Sequence, residues 1–92
     1  MEPVMRTEQR NAREKLLAEH VGALVHGRRT KMGLTLAQLG KLANVDPSQL
    51  SKLERGEGIA GASSYVDLER ALCWQPGEML TVAIRETYPL AA

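Results

Sequence analysis

The chain has 92 residues, no Phe, three aromatic residues in all and a net charge of +1. That suits one small domain with an aliphatic core of Leu, Val, Ile, Ala and Met, and it is hardly a basic protein. The single cysteine excludes an intramolecular disulfide, no apolar run approaches the ~18 residues of a membrane span, and the charged N-terminus lacks the apolar stretch of a signal peptide. A cytoplasmic protein is expected.

Residues 1–18 read as a helical or partly disordered arm. Pro3 lies near the start, and from about Arg6 the composition of Arg, Glu, Gln, Ala, Lys and Leu favours helix. Its charges alternate, and no dense apolar stripe appears before Leu16. Such an arm needs no role beyond a solvated face; a DNA-touching arm or a partner-binding helix is the functional alternative. Leu17, Val21, Leu24, Val25 and Arg28 then recur at helical spacing and predict a first helix of the domain, ending near residues 31–33. It either continues from the arm or starts afresh. Gly22 and Gly27 weaken it, with Gly27 the candidate for a close contact or a bend. The apolar face is expected to lie on Leu39, Leu42, Leu50 and Leu53, leaving Arg28 exposed.

Residues 33–56 hold two short amphipathic helices joined by a tight turn. Thr35 and Gln38 form a capping box, in which the hydroxyl accepts from the amide three residues on and the Gln reaches back to the Thr35 amide. Asp46 and Gln49 repeat that spacing, with Pro47 at the first helical position, where its missing N–H costs nothing. Asn44 between them tolerates the left-handed conformation that ends many helices. Two capped helices around a short turn are the signature of a helix-turn-helix.

The small, glycine-rich stretch 57–62 must be a loop. Ser63 or Ser64 is expected to cap a helix through Tyr65, Val66, Leu68, Glu69, Ala71 and Leu72, broken at Trp74-Gln75. Cys73 reads as a buried small hydrophobe. Pro76 is placed to open a fifth helix, with Glu78 favourable near its start and Pro89 ending it near Thr87. Leu80, Ile84 and Tyr88 fall at i, i+4 and i+8; the alternation Leu80, Val82, Ile84 also fits a short strand, but helix is preferred. The expected architecture is all-α: five helices around one small core, with the arm at 1–18, the DNA-binding domain at 19–80 and a tail at 81–92.

The segment 33–56 closely resembles the helix-turn-helix of the lambda-repressor-like family, the phage repressor and Cro type. The matching positions are Leu36, Leu39, Leu42, Val45, Leu50 and Leu53, followed by Glu54-Arg55-Gly56, with Arg29 upstream and Pro76, Glu78 and Leu80 near the end. The likeness runs from about residue 19 to residue 80. Gly40 stands where the family usually has Ala, and Asn44 where it usually has Gly. On its own Gly40 should weaken its helix by roughly 0.5–1 kcal/mol. The resemblance implies that Arg29 and Glu54 form a structural ion pair tying the first helix to the second helix of the motif.

It also implies that this second helix is the recognition helix, since a major groove about 12 Å wide admits an α-helix read mainly through its N-terminal residues. Ser48, Gln49 and Lys52 are polar and turned away from the Leu50–Leu53 stripe; Gln suits adenine, and Lys suits guanine O6 and N7. By resemblance, positions 47, 48 and 52 match the family's main base-reading sites, and Pro47 can give only apolar contact. Thr35, Gln38, Ser51 and Arg55 are placed for phosphates. Charge supports this: residues 20–62 carry +3, residues 1–19 sum to 0 and residues 63–92 to −2. A polar helix face needs no purpose by itself, so the weight rests on the whole motif.

Catalytic and metal chemistry find no support. His20 and His26, six residues apart, do not share a helix face, and there is no H-E-x-x-H, phosphate-cradling loop or hydrolase elbow. No cofactor, metal site or enzymatic activity is expected. The expected function is sequence-specific binding of double-stranded DNA by a transcriptional regulator, a repressor acting as a homodimer on a pseudo-palindromic operator. Dimerisation is assigned to Leu80, Ile84 and Tyr88, because the C-terminal segment holds more apolar residues than so small a core needs. The alternative is an antitoxin or protein-interaction adaptor whose main partner is another protein, bound by the arm or the tail.

Overall fold

Five helices are present in the computed structural model, which describes residues 7–58 and 61–88. They are α1 (Thr7–Lys31), α2 (Leu36–Ala43), α3 (Pro47–Glu54), α4 (Ala62–Ala71) and α5 (Glu78–Thr87). No strand occurs among the described residues, so the segment after Leu80 is helical. Residues 1–6 of the arm, residues 59–60 of the loop, and the tail from Pro89 with its expected helix stop lie outside the described residues. The helical part of the arm and the first domain helix are one continuous α1, which packs along α5 and crosses α3, while α2 packs on α3 and α4.

The core is aliphatic. Val21 and Val25 from α1, Leu39 from α2, Leu50 from α3, Leu68 and Leu72 from the α4 end, and Met79 and Ala83 from α5 are each at most 2% exposed. Full burial of such side chains contributes about 1.5–3 kcal/mol each for the larger ones, which is the main force joining the four short helices to one another and to the long α1. Leu42 does not join them and is 62% exposed. The inward arc of α2 is made by Leu39, Gly40 and Ala43, with Leu36 at its edge, and Leu42 sits roughly 100° from the middle of that arc.

Two glycines act differently from their sequence reading. Gly27 faces open space and marks no contact. Gly22 is the close approach: a Cβ there would lie 2.7 Å from the Glu54 carbonyl oxygen and nearer still to that of Leu53. The backbones of α1 and α3 therefore touch where only a hydrogen fits.

The C-terminal half differs in its caps. Gly61, not Ser63 or Ser64, is the N-cap of α4; its carbonyl accepts from the Ser64 and Tyr65 amides, leaving both serines inside the first turn. Cys73 is exposed and sits at φ +61, so the chain leaves α4 through a left-handed residue and turns this side chain to solvent. Pro76 lies in the turn rather than at the first helical position of α5, because Gly77 at φ +82 is the N-cap and the helix begins at Glu78. The cap comes from α4. The carboxylate of Glu69, only 3% exposed, accepts from Gly77 N at 2.8 Å and Met79 N at 2.9 Å. Arg28 is half-buried rather than exposed, its Nε donating to the Leu72 carbonyl at 2.9 Å and its guanidinium lying 5.1 Å from the Trp74 ring centroid.

Substitution of the two glycines on α1 should give opposite signs. Gly22→Ala should destabilise by about 1–3 kcal/mol, because the added methyl forces the helices apart. Gly27→Ala should stabilise by roughly 0.5–1 kcal/mol through helix propensity alone. Urea denaturation of both variants checks this; equal effects would contradict the close crossing.

Candidate nucleic-acid interface

The motif is built from its caps outward. Thr35 Oγ1 accepts from Gln38 N at 3.0 Å, and Gln38 Oε1 accepts from Thr35 N at 2.8 Å, closing the reciprocal box at the start of α2. Asn44 ends α2 in the left-handed conformation, at φ 54 and ψ 46. The next residue returns to the helix: Val45 N donates to the Gly40 carbonyl at 2.9 Å. Gly40 lets that turn close more tightly than a side chain would allow, since a Cβ there would lie 2.5 Å from the Val45 carbonyl oxygen and force a shift. A glycine that costs helix propensity thus lets the turn close.

The start of α3 is capped, but not by a second box. Asp46 Oδ1 accepts from Ser48 N at 2.8 Å and from the Ser48 hydroxyl at 2.6 Å; Ser48 is the main partner, and the Gln49 amide contributes less. An Asx-type bond two residues on is the shorter closure for an aspartate, and Pro47 between them presets the turn.

Beyond its caps, α3 has two sides. Leu50 and Leu53 are buried, while Pro47, Ser48, Gln49 and Lys52 are all exposed on the first turns. Ser51 is half-buried, and its hydroxyl accepts from Arg55 Nη1. Arg55 also pairs with Glu57, and both side chains are exposed. Thr35 and Gln38 lie exposed at the start of α2.

The far end of α3 is fastened to α1. Arg29 meets Glu54 as a fork, with Nε to Oε2 at 2.6 Å and Nη2 to Oε1 at 2.9 Å, and its Nη1 donates to the Leu34 carbonyl at 2.8 Å. The two side chains are 12% and 7% exposed. His26 Nδ1, one turn before Arg29 on α1, donates to Glu54 Oε1 at 2.9 Å. Burial pushes the Glu54 carboxyl up, but the bonds from Arg29 and His26 together outweigh it and hold it below its ordinary value. The bond to Glu54 likewise raises Arg29.

Sequence reasoning missed the Asp46–Ser48 pair, the Gly22 crossing and the His26 bond. Only the last had a signal: His26 lies three residues before Arg29, on the same helical face. Leu80, Ile84 and Tyr88 sit on one side of α5, but the register that enters the core is Met79, Ala83 and Thr87. Leu80 is half-buried, Ile84 and Tyr88 are exposed, and Arg13 of α1 lies 4.6 Å from the Tyr88 ring centroid. Among the described residues no group of His, Cys, Asp and Glu converges as a metal site, and no helix is long and apolar enough to cross a membrane.

A short helix anchored in the core on one side, open to solvent along its polar N-terminal face and preceded by a capped helix and tight turn defines a helix-turn-helix domain. A helix-turn-helix family model matches residues 27–72, half of the chain. The chain belongs to the lambda-repressor-like helix-turn-helix family of DNA-binding regulators. It is similar to two crystal structures of ClgR, the clp gene regulator of Corynebacterium glutamicum. One aligns with a TM-score of 0.70 and 30% identity over 78% of this chain and 77% of that one. The other aligns with a TM-score of 0.67 and 32% identity over 74% of this chain and 87% of that one. No curated protein matches the chain by sequence.

The fork gives a stability prediction with a pH signature. Arg29→Ala and Glu54→Ala should each cost about 3–5 kcal/mol, because either leaves a charge stranded in a mostly buried site, and the double variant should cost much less than their sum. Because the folded value of Glu54 is depressed, its contribution is complete above the unfolded value of about 4.3 and is lost as pH falls through the lower folded value. Urea melts from pH 7 to pH 3 should therefore show an acid limb that is shallower in Glu54→Gln, the remainder coming from other depressed carboxylates such as Asp46.

Proposed function

We propose that this chain is a sequence-specific transcriptional regulator that binds double-stranded DNA as a homodimer on a pseudo-palindromic operator and represses by occupying it. The observation that carries the reading is the division of α3: Leu50 and Leu53 locked in the core, and Pro47, Ser48, Gln49 and Lys52 exposed to solvent outside that stripe. Seated in the major groove, that face offers Lys52 to guanine, Gln49 to adenine and Pro47 to a thymine methyl. Thr35, Gln38, Ser51 and Arg55 flank it for phosphates; Gln38 already uses its Oε1 in the capping box, which leaves its amide N–H groups as the donors. Arg55 exchanges Glu57 for a phosphate.

The dimer reading rests on α5. Ile84 and Tyr88 keep 46% and 39% of their surface exposed beside the half-buried Leu80, an apolar strip along one outer flank of a helix whose other side is in the core. A dimer formed along this strip would have to present its two recognition helices about 34 Å apart, one turn of DNA, to seat both in the major groove. Repression then needs nothing beyond occupancy.

Selection of bound sequences from a random duplex pool should return an inverted repeat. Lys52→Ala should cost about 1–3 kcal/mol per half-site and relax preference at one base position. Arg55→Ala should weaken specific and scrambled duplexes alike and flatten the salt dependence. Ile84→Glu should sediment as a monomer at concentrations where the parent is a dimer. A parent protein with no preference between duplexes at any salt would favour a protein partner instead.

A further inference from the structure

Ser48 carries one hydroxyl proton, and the structure shows where it goes. Its Oγ lies 2.6 Å from Asp46 Oδ1, and the same oxygen accepts from the Ser48 amide at 2.8 Å. The two bonds close a small ring that fixes the hydroxyl against the helix N-cap. The Asp46 carboxyl is held below its ordinary value, first by the Ser48 hydroxyl and then by the Ser48 amide. At neutral pH it is ionised and has no proton to give, so the direction of the bond is settled: Ser48 donates and Asp46 accepts. What Ser48 has left for a ligand is its lone pairs. Asp46 Oδ2 is likewise an acceptor. The leading turn of α3 therefore offers acceptors on this side and no side-chain donor before Gln49.

In the major groove the bases divide by the same criterion. Adenine N6 and cytosine N4 donate there, whereas guanine O6 and N7 and thymine O4 accept. A serine with a free rotor serves either class, by turning its proton toward or away from the base. A serine whose proton is already committed does not. An acceptor facing a keto oxygen leaves two unpaired lone pairs in a desolvated contact, and the nearby carboxylate worsens it.

We propose that Asp46 fixes Ser48 as a hydrogen-bond acceptor, so that Ser48 reads an amino-bearing base, adenine or cytosine, and rejects guanine and thymine at the base it faces. This rests on the recognition-helix reading above and adds the chemical class of the base. Asp46 is a positioning residue: it acts through the Ser48 hydroxyl. Lys52, one turn further on, has only donors and selects for the opposite class, so the two residues divide the half-site by hydrogen-bond polarity.

The test starts from the sequence selected by the parent protein. Ser48→Ala should erase the preference at one base position per half-site, and the base there should be adenine or cytosine. Replacing that base by an analogue without its exocyclic amino group, purine for adenine or pyrimidin-2-one for cytosine, should weaken the parent about tenfold and Ser48→Ala no further. Asp46→Gly keeps a favourable N-cap residue and frees the hydroxyl. It should bind the selected sequence nearly as well but tolerate guanine or thymine at that one position, with the Lys52 position unchanged. Thermal melts confirm that both variants are folded. A keto base at the mapped position, an equal analogue penalty in parent and Ser48→Ala, or unaltered discrimination in Asp46→Gly would overturn the assignment while leaving operator binding intact. A parent protein that enriches no sequence would overturn both.

Discussion

The crossing of α1 over the C-terminal end of α3 is the constraint on which the interface depends. A helix of eight residues such as α3 is too short to be stable by itself and must be oriented from outside. Gly22 lets the α1 backbone rest on the Leu53 and Glu54 carbonyls, and the Arg29–Glu54 fork closes about two turns further along α1. One contact fixes separation and the other fixes rotation. Gly56 at φ +74 then turns the chain beside Glu19, so the exit from α3 is held by the same helix that holds its end. The charged pair adds little net stability, since desolvation offsets much of the attraction. Its value is directional: a fork meets a carboxylate in one plane, and that plane sets the angle at which the opposite face of α3 is presented.

Features legible in the sequence were those written in local spacing. The Thr35–Gln38 box, the left-handed Asn44, Pro47 at the first turn of α3 and the aliphatic register of Leu39, Leu50 and Leu53 each follow from neighbours within one or two turns. The partnership of Arg29 with Glu54 spans 25 residues and was legible only through resemblance. What the spacing did not reveal were contacts made by the fold. Gly22 and Gly27 look alike in sequence, and only the path of α3 distinguishes them. Glu69 occupies a position in register with Leu68 and Leu72, where a carboxylate is affordable because it meets amides from the next helix. Leu42 looked apolar and therefore internal, yet the arc that faces inward is set by where α3 and α4 lie. Cys73 and Arg28 were misplaced together, because the left-handed turn at Cys73 directs the Leu72 carbonyl to Arg28.

The C-terminal helices are tied to α1 by polar contacts at both ends. At one end Arg28 binds the Leu72 carbonyl and covers Trp74. At the other, the Thr87 hydroxyl donates to Ala83 O at 2.8 Å and accepts from His20 Nδ1 at 2.8 Å, while Arg13 lies over Tyr88. These contacts set the antiparallel register of α5 on α1, which a uniform aliphatic seam would leave free to slide. Polar groups here specify alignment, and the apolar residues between them provide the adhesion.

The burial of Glu69 has a dynamic consequence. Both of its oxygens are engaged by the first turn of α5, and the side chain that brings them there is rooted in α4. α5 cannot fray from its N-terminus without stranding a carboxylate in an apolar setting, and α4 cannot unwind past Glu69 without exposing the amides of Gly77 and Met79. The start of α5 is therefore coupled to α4, and the amides of its first turn should exchange with solvent only when the Glu69 contact opens, rather than by fraying from the helix end.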